Sequence, residues 1–383
     1  MNTDISQTSP KTAFIVIDGG PCSGKTTGLA RIKQALEGVG IIALVMPEAA
    51  TLLIKAGVTP WDLDSLEFQG HVTDVQISLE STFNKAAEEL ARKHGKKCVV
   101  VCDRGLVGQA AYLPGPSPLA LLDDLFAERG TSVESARARY AGVIHMVTAA
   151  DGAESFYTLA NNEARTETPE QARVVDKRTL AAWLGHPHVA VAANVDQQGR
   201  PVSFDAKIAT VVAEVFRILG YPQPIEIEDK FLLERFDPTA LTVPYEAISL
   251  EQTYLVPKEK GSEERVRARR WLGSGSYYHT VKRPSPDGGR VEIERLITVS
   301  EYRRLLERAD ASRQPIVKTR YCFVWNNQYF EADAFHGRHE GLFLLEREKT
   351  DINDSTDLPP FLRVIRDVTD DPAFKNSALA KAA

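Results

Sequence analysis

AFIVIDGGPCSGKTTGLARIKQALEGVG, from Ala13 to Gly40, decides the first half of the fold. Ala13 to Asp18 is a short apolar run of buried-strand type, Gly19 to Gly24 is a glycine-rich turn, and the following residues carry helical periodicity. Strand, tight turn and helix in that order open a βαβ unit. Four more apolar runs follow, Gly40 to Glu48, Lys97 to Asp103, Gly142 to Thr148 and Val189 to Val195, with helical stretches such as VTDVQISLESTFNKAAEELARK between them. Five apolar runs alternating with helices predict a parallel sheet covered on both faces. KIATVVAEVFRILG (Lys207 to Gly220) closes this α/β domain, and YPQP (Tyr221 to Pro224) punctuates a junction.

Beyond the junction the apolar period changes from 3.6 to 2. IEIEDKFLL, EQTYLVP, ERVRARRWL, YYHTVKR, RVEIERLIT, IVKTRYCFVW, YFEADAF and GLFLLEREK read as strands, interrupted by one helix, SEYRRLLERA (Ser300 to Ala309). The expected organisation is an α/β domain over residues 1–222, then an antiparallel β sheet or barrel with flanking helices over 225–383. DINDSTDLPP (Asp351 to Pro360) reads as a surface loop and the tail AFKNSALAKAA as short and partly frayed.

Composition narrows the function classes. A chain of 383 residues exceeds what one core usually carries, and 43% hydrophobic with 26% charged residues excludes wholesale disorder. The formal net charge of −6 divides as about −4 before residue 225 and about −2 after it, so neither half is globally basic. Any anion site must be built locally. Cys22, Cys98, Cys102 and Cys322 are too few for a disulfide framework and form no zinc-type CxxC pair, which fits a reducing compartment. MNTDISQTSPKT lacks the basic start and apolar run of a secretory signal, and no stretch holds 18 uninterrupted apolar residues, so a soluble cytoplasmic protein is expected.

Gly19, Gly20, Pro21, Cys22, Ser23, Gly24, Lys25 and Thr26 satisfy G-x-x-x-x-G-K-[ST], the phosphate-cradling P-loop, and lie between a strand and a helix as that motif requires; Thr27 extends the candidate nucleotide-binding run. Backbone N–H groups turn toward phosphate oxygens, the Lys25 point charge reaches the terminal phosphates of ATP or GTP, and the Thr26 hydroxyl is placed to ligate Mg²⁺. Asp103, at the carboxyl end of VVVCD, stands where a Walker B acid approaches the metal; the plainer reading of Asp-Arg-Gly is a turn. Glu48, at another strand end, could orient or deprotonate an acceptor hydroxyl, or serve only as a helix cap. Arg165, Arg173 and Lys177 sit in the polar run after Ala149, spaced to project from lid helices that screen a transferring phosphoryl group; a solvated helix face is the alternative. His145, His186, His188 and His279 lack ligand spacing and receive no chemistry.

Taken together, GGPCSGKTT, the strand-end Glu48, DRG and RTETPEQAR resemble the P-loop ATPase/kinase family of the nicotinamide riboside kinase type, and loosely the deoxynucleoside kinases, over about the first 220 residues. One departure is DRGLVGQAAY, which lacks the aspartate often found shortly after DRG in that family.

In the second half Glu226, Glu228 and Lys230 alternate along one strand and therefore share a face. The pattern recurs at Arg265/Arg267, Thr280/Lys282, Glu292/Glu294, Lys318/Arg320, Glu331/Asp333 and Glu346/Glu348. Seven strands with charged alternates predict a common charged interior, whose groups survive enclosure only if paired, hydrated or engaged with a ligand and metal. Lys230, Arg265, Arg267, Lys282, Lys318 and Arg320 suit a polyphosphate, and the glutamates offer hard oxygen ligands to Mg²⁺ or Mn²⁺.

EIEDK, followed in order by ERVR, TVK, EIE, KTRY, FEADAF and EREK, resembles the ExExK signature and later elements of the CYTH or triphosphate tunnel metalloenzyme superfamily, over 225 to about 377. That resemblance implies an eight-stranded tunnel barrel, a triphosphate or polyphosphate substrate, a divalent metal on Glu226, Glu228 and Glu348 with Glu346 beside them, and phosphates held by the six basic residues. Asp367 stands where that family more often has a glutamate. The two halves in this order also resemble the TRPL-translocation-defect GTP-binding protein family, through VTAADGAESFYTL, NNEARTE and EADAFHGRHEGLFLLE, which implies nucleotide binding and recognition of a phospholipid headgroup.

The leading expectation is therefore a two-site phosphate enzyme, with an NTP-hydrolysing or phosphotransferring P-loop domain and a tunnel that binds or cleaves a triphosphate. A nucleotide-dependent switch whose tunnel holds an anionic headgroup without turnover is the alternative. RNA 5′-end processing stands behind both, because no basic stripe or aromatic stacking motif appears.

Overall fold

The computed structural model describes residues 12–157, 167–221, 227–259, 261–284, 290–350 and 354–381. The chain divides into two compact units, Met1–Trp183 with His188–Val215, and Leu184–Pro187 with Phe216–Ala383.

The first unit runs β1 (Thr12–Asp18), α1 (Lys25–Gly38), β2 (Ile42–Met46), α2 (Ala49–Lys55), α3 (Ser65–His94), β3 (Cys98–Asp103), α4 (Pro118–Ala127), α5 (Val133–Arg137), β4 (Gly142–Met146), α6 (Pro169–Trp183), β5 (Val189–Ala192) and α7 (Phe204–Ile218), with a 3-10 segment at Leu106–Tyr112. Its five strands are all parallel in the order β2-β3-β1-β4-β5. Ile15, Val16, Ile17, Val99, Val100, Val101, Val143 and Ile144 are fully buried, as strands covered on both faces require. The chain leaves β1 toward β2 on one side while β4 and β5 lie on the other. The glycine turn after β1 is thus at a topological switch point, where ligands of open α/β sheets bind. α3 reaches 30 residues because an Asp64–Glu67 capping box starts it and Gly95, at φ 63°, ends it.

The second unit runs β6 (Ile227–Leu233), β7 (Tyr245–Leu255), β8 (Glu263–Trp271), β9 (Ser274–Pro284), β10 (Arg290–Ile297), α8 (Val299–Leu306), β11 (Ile316–Trp325), β12 (Gln328–Phe335), β13 (Phe343–Lys349), β14 (Val364–Asp367) and α9 (Asn376–Leu379). They form one antiparallel sheet in the order β10-β9-β8-β7-β11-β12-β13-β6-β14. The ninth strand beyond the eight implied by resemblance is β14, a short edge strand joined to β6 through a register shift between Val364 and Arg366. Phe231, Leu233, Phe323, Phe330, Ala332 and Leu345 pack together on one face of β6, β11, β12 and β13.

Two expectations are corrected. β7 begins at Tyr245, six residues before the EQTYLVP run, because pairing with β11 extends from Gln252 to Tyr245. The tail is docked rather than frayed through Lys381. Ala380 is fully buried against Tyr254, Ile316, Phe335, Leu344 and Val368, and the Gln314 amide donates to the Ala380 carbonyl at 2.7 Å. Small alanines left no apolar period from which this docking could be read.

Candidate functional site

The cradle is shaped by contacts that only glycine tolerates. Gly19 has φ +146°, and a Cβ there would lie 2.1 Å from the Met146 carbonyl oxygen; Gly24 has φ +88° and caps α1. No side chain caps α1 and its first turn holds no acidic residue, so its leading N–H groups are open to an anion. Lys25 Nζ donates to the carbonyls of Gly19 at 2.9 Å and Gly20 at 3.1 Å and to Ser23 Oγ at 3.2 Å. Burial and the nearby Arg104 guanidinium lower its pKa, which incoming phosphate charge would reverse. Thr26 and Thr27 are exposed at the start of α1.

Asp103 ends β3, and its Oδ1 is buried with no hydrogen-bond partner among the described residues. Burial raises its pKa against the pull of Lys25. An orphaned carboxylate oxygen in the field of the cradle lysine suits a cation or its hydration shell, so Asp103 with Thr26 fits a divalent metal. Glu48 occupies the N-cap position of α2 without capping it: it accepts the Thr51 hydroxyl at 2.5 Å and Arg104 Nε at 2.5 Å. Burial would raise its pKa, yet Arg104 and Lys25 bring it below the usual value. So held, Glu48 is ionised at neutral pH, better suited to orient a hydroxyl than to take its proton.

Sequence reading missed the residues that fix this arrangement. Asp18, fully buried, accepts from the Gly19 amide at 2.9 Å, Arg104 Nη1 at 3.0 Å and Trp183 Nε1 at 2.7 Å. Asp176 on α6 takes the amides of Gly20 at 2.7 Å and Thr148 at 3.0 Å through one oxygen and faces His145 Nε2 at 3.1 Å with the other. Lys207 on α7 donates to the carbonyls of Ser23 at 3.3 Å and Val147 at 2.6 Å and to Asn194 Oδ1 at 2.8 Å. Only Arg104, inside the DRG triplet, and Asp18, abutting the glycines, carried a sequence signal. Arg173 projects from α6 as expected, but its Nε donates to the Ala150 carbonyl at 2.6 Å. Arg165 lies outside the described residues.

In the second unit the charged alternates do share one face. Across the ladders Arg320 stands opposite Asp333, Glu331 opposite Glu346, Glu346 opposite Lys230, Glu348 opposite Glu228, Arg265 opposite Thr280 and Glu292 opposite Lys282. Two clusters result. In one, Lys230 Nζ lies 3.0 Å from both Glu228 and Glu346, and Arg320 Nη2 reaches Asp333 at 2.7 Å and Glu346 at 2.6 Å, with Glu331 and Lys318 in contact beside them. In the other, Glu292 joins Arg265 at 3.0 Å and Lys282 at 2.6 Å, while Glu294 joins Arg267 at 2.7 Å and Thr280 at 2.7 Å.

Burial works against the charge on Lys230, Lys318, Arg320, Glu331 and Glu346, and partners overrule it selectively. Glu346 is driven well below the usual carboxylate range by Lys230, Lys318 and Arg320. Lys230 is raised by Glu346 and Glu228, whereas burial prevails at Lys318 and lowers it despite Asp333. Glu226 lies outside the described residues. Among those described, no group of three or more His, Cys, Asp or Glu is arranged to hold a metal, because the glutamates are paired with bases. Glu228 stands opposite Glu348 across β6 and β13, and Glu331 opposite Glu346 across β12 and β13, so two pairs of oxygen donors are in register. No helix among the described residues is long and apolar enough to cross a membrane.

Known proteins resemble the two halves separately. A family profile described as an AAA domain matches residues 14–200. The C-terminal part is similar to an inorganic triphosphatase of Acetivibrio thermocellus, 35% identical over 159 residues, or 41% of this chain and 93% of that protein. It is also similar to an inorganic triphosphatase of Nitrosomonas europaea, 33% identical over 160 residues, covering 40% and 96%. A crystal structure of an inorganic triphosphatase aligns at 30% identity and TM-score 0.31, over 41% of this chain and 95% of the other.

Proposed function

The chain belongs through its C-terminal part to the inorganic triphosphatase family, fused behind a P-loop domain, and from that premise we propose that its second unit is a metal-dependent triphosphatase. The observation that carries the proposal is the charged sheet face, on which basic and acidic residues gather side by side and pair with one another. A triphosphate supplies the anions that Lys230, Arg265, Arg267, Lys282, Lys318 and Arg320 now take from glutamates and Asp333. The released carboxylates of Glu228 and Glu346, together with Glu226 and with Glu348, which now holds Arg217, would hold the divalent ion. Mg²⁺ or Mn²⁺ held there would supply Lewis-acid polarisation and a water of lowered pKa. The chain's own part is to clamp the phosphates, spread their charge and exclude competing solvent.

For the first unit the reading is NTP binding with Mg²⁺, followed by hydrolysis or transfer of the terminal phosphoryl group. Lys25 and the α1 amides hold the phosphates, Thr26 and Asp103 the metal, and Glu48 an acceptor hydroxyl or water. Arg173, with Arg165, would approach the phosphates from the α6 side.

Phosphate release from tripolyphosphate, ATP and GTP with Mg²⁺ or Mn²⁺ tests both sites. Lys25→Ala should abolish NTP turnover alone and Glu228→Ala tripolyphosphate turnover alone. Binding of nucleotide without phosphate release from any substrate would replace the enzyme with a binding switch.

A further inference from the structure

Phe204, the first residue of α7, sets its ring against the phosphate cradle, and we propose that this ring is the platform on which the base of the bound nucleotide stacks. The inference rests on nucleotide binding at the P-loop and adds how the base is held.

The ring's position follows from Gly24. A Cβ built on Gly24 would meet Phe204 Cε2 at 2.5 Å and Cζ at 2.9 Å, so the phenyl edge lies directly over the backbone that starts α1. Triphosphate held by the α1 amides therefore ends one residue from an aromatic surface. Phe204 is 46% exposed, whereas Lys207 and Ile208, one turn further along α7, are 3% and 6% exposed. The helix is anchored by its buried side and leaves the phenyl ring half exposed beside a charged site.

The platform is also fixed in advance. Lys207 ties α7 to the Ser23 and Val147 carbonyls, and Asn194 Nδ2 ties the preceding loop to the carbonyls of Thr148 and Asp151, each at 2.7 Å. Stacking on it costs no reordering of the loop. In the loop that leads to α7, Asp196 is consumed within its own turn by the amides of Gln198 and Arg200 and by Arg200 Nε, and no edge-reading role is assigned to it. Every base has a π-face, so stacking without edge readout accepts ATP and GTP alike.

The test uses the full chain with Mg²⁺, carrying Glu228→Ala throughout so that the second unit does not consume tripolyphosphate, and a methylanthraniloyl-ATP probe displaced by ATP, GTP or inorganic tripolyphosphate, which has phosphates but no base. Phe204→Leu keeps an apolar cover on Gly24 and removes the π-face; Phe204→Trp enlarges it. Phe204→Leu should weaken ATP and GTP by about 5- to 150-fold, leave tripolyphosphate competition unchanged, and be reversed in Phe204→Trp. Unchanged ATP and GTP affinity in Phe204→Leu overturns the inference, as does equal weakening of all three competitors, which would mark a packing role. Absence of any probe binding that Lys25→Ala abolishes would instead remove the nucleotide reading itself, and the base platform with it.

Discussion

Lys230 Nζ on β6 lies 3.0 Å from a Glu346 carboxylate oxygen on the neighbouring β13, with both side chains buried. Two opposite charges in register across a ladder satisfy each other without a ligand. Under the proposed triphosphatase reading, a triphosphate with its metal would therefore exchange partners here, anion to lysine and cation to glutamate, and binding strength would depend on how cheaply the internal pair opens.

Glu346→Gln removes the charge that Lys230 and Arg320 share. Leaving buried cations short of a partner should cost about 3 kcal/mol of stability and abolish tripolyphosphate hydrolysis. Denaturant midpoints and phosphate release report both. A midpoint unmoved with turnover within twofold of wild type would mean that the pair is neither structural nor part of the site.

Gly19→Ala should disable the cradle without touching a charge. Its methyl would stand 2.1 Å from the Met146 carbonyl oxygen at a backbone angle that side chains rarely adopt. The expected loss is about 2 kcal/mol with NTP binding abolished, measured by thermal melting and nucleotide titration, while tripolyphosphate turnover is preserved. Normal NTP affinity in the variant would show that the turn is free to rearrange.

Lys207 makes the stability of the first unit depend on alkaline pH. Burial lowers its pKa from 10.5 to about 8 although Asp176 opposes the shift. A lysine with a depressed folded value binds fewer protons folded than unfolded between those limits. Its penalty is full below about pH 8 and is relieved as pH rises toward 10.5, by about 3 kcal/mol in total. Unfolding free energies of wild type and Lys207→Met should thus diverge in slope between pH 8 and 10, wild type rising more. Parallel curves would place the ammonium in a wetter setting.

Period and motif revealed the elements but not what joins them. The apolar β1, β3 and β4 and the alternating β8, β11 and β13 declare themselves locally, and Gly19 to Thr26 is a contiguous signature. The charged alternates on seven strands are legible because strand period alone puts alternate residues on one face. Asp176 and Lys207 are not, since their partners Gly20 and Ser23 lie 156 and 184 residues away in sequence. β14 is four residues long with an irregular register, too short for a period to show. Arg104 lies within DRG, a triplet that gives no sign that its side chain spans Asp18 at the end of β1 and Glu48 ahead of α2.

That span yields the last prediction. Arg104, at φ 69°, presents Nη1 to Asp18 and Nε to Glu48, two donors of one planar group aimed in different directions. A lysine has the charge but only one nitrogen, so Arg104→Lys can serve one carboxylate and leaves the other buried and under-paired. Burial already acts to raise Glu48, and with the Arg104 hydrogen bond lost its pKa should rise even though the lysine keeps the charge. Carbon-13 NMR titration of the Glu48 carboxyl in wild type and Arg104→Lys reads this directly. An upward shift accompanied by altered pH dependence of NTP turnover would make the Arg104 contact the element that sets Glu48 as an ionised orienting group. An unshifted Glu48 would assign that role to Lys25 alone, whose charge reaches the same carboxylate.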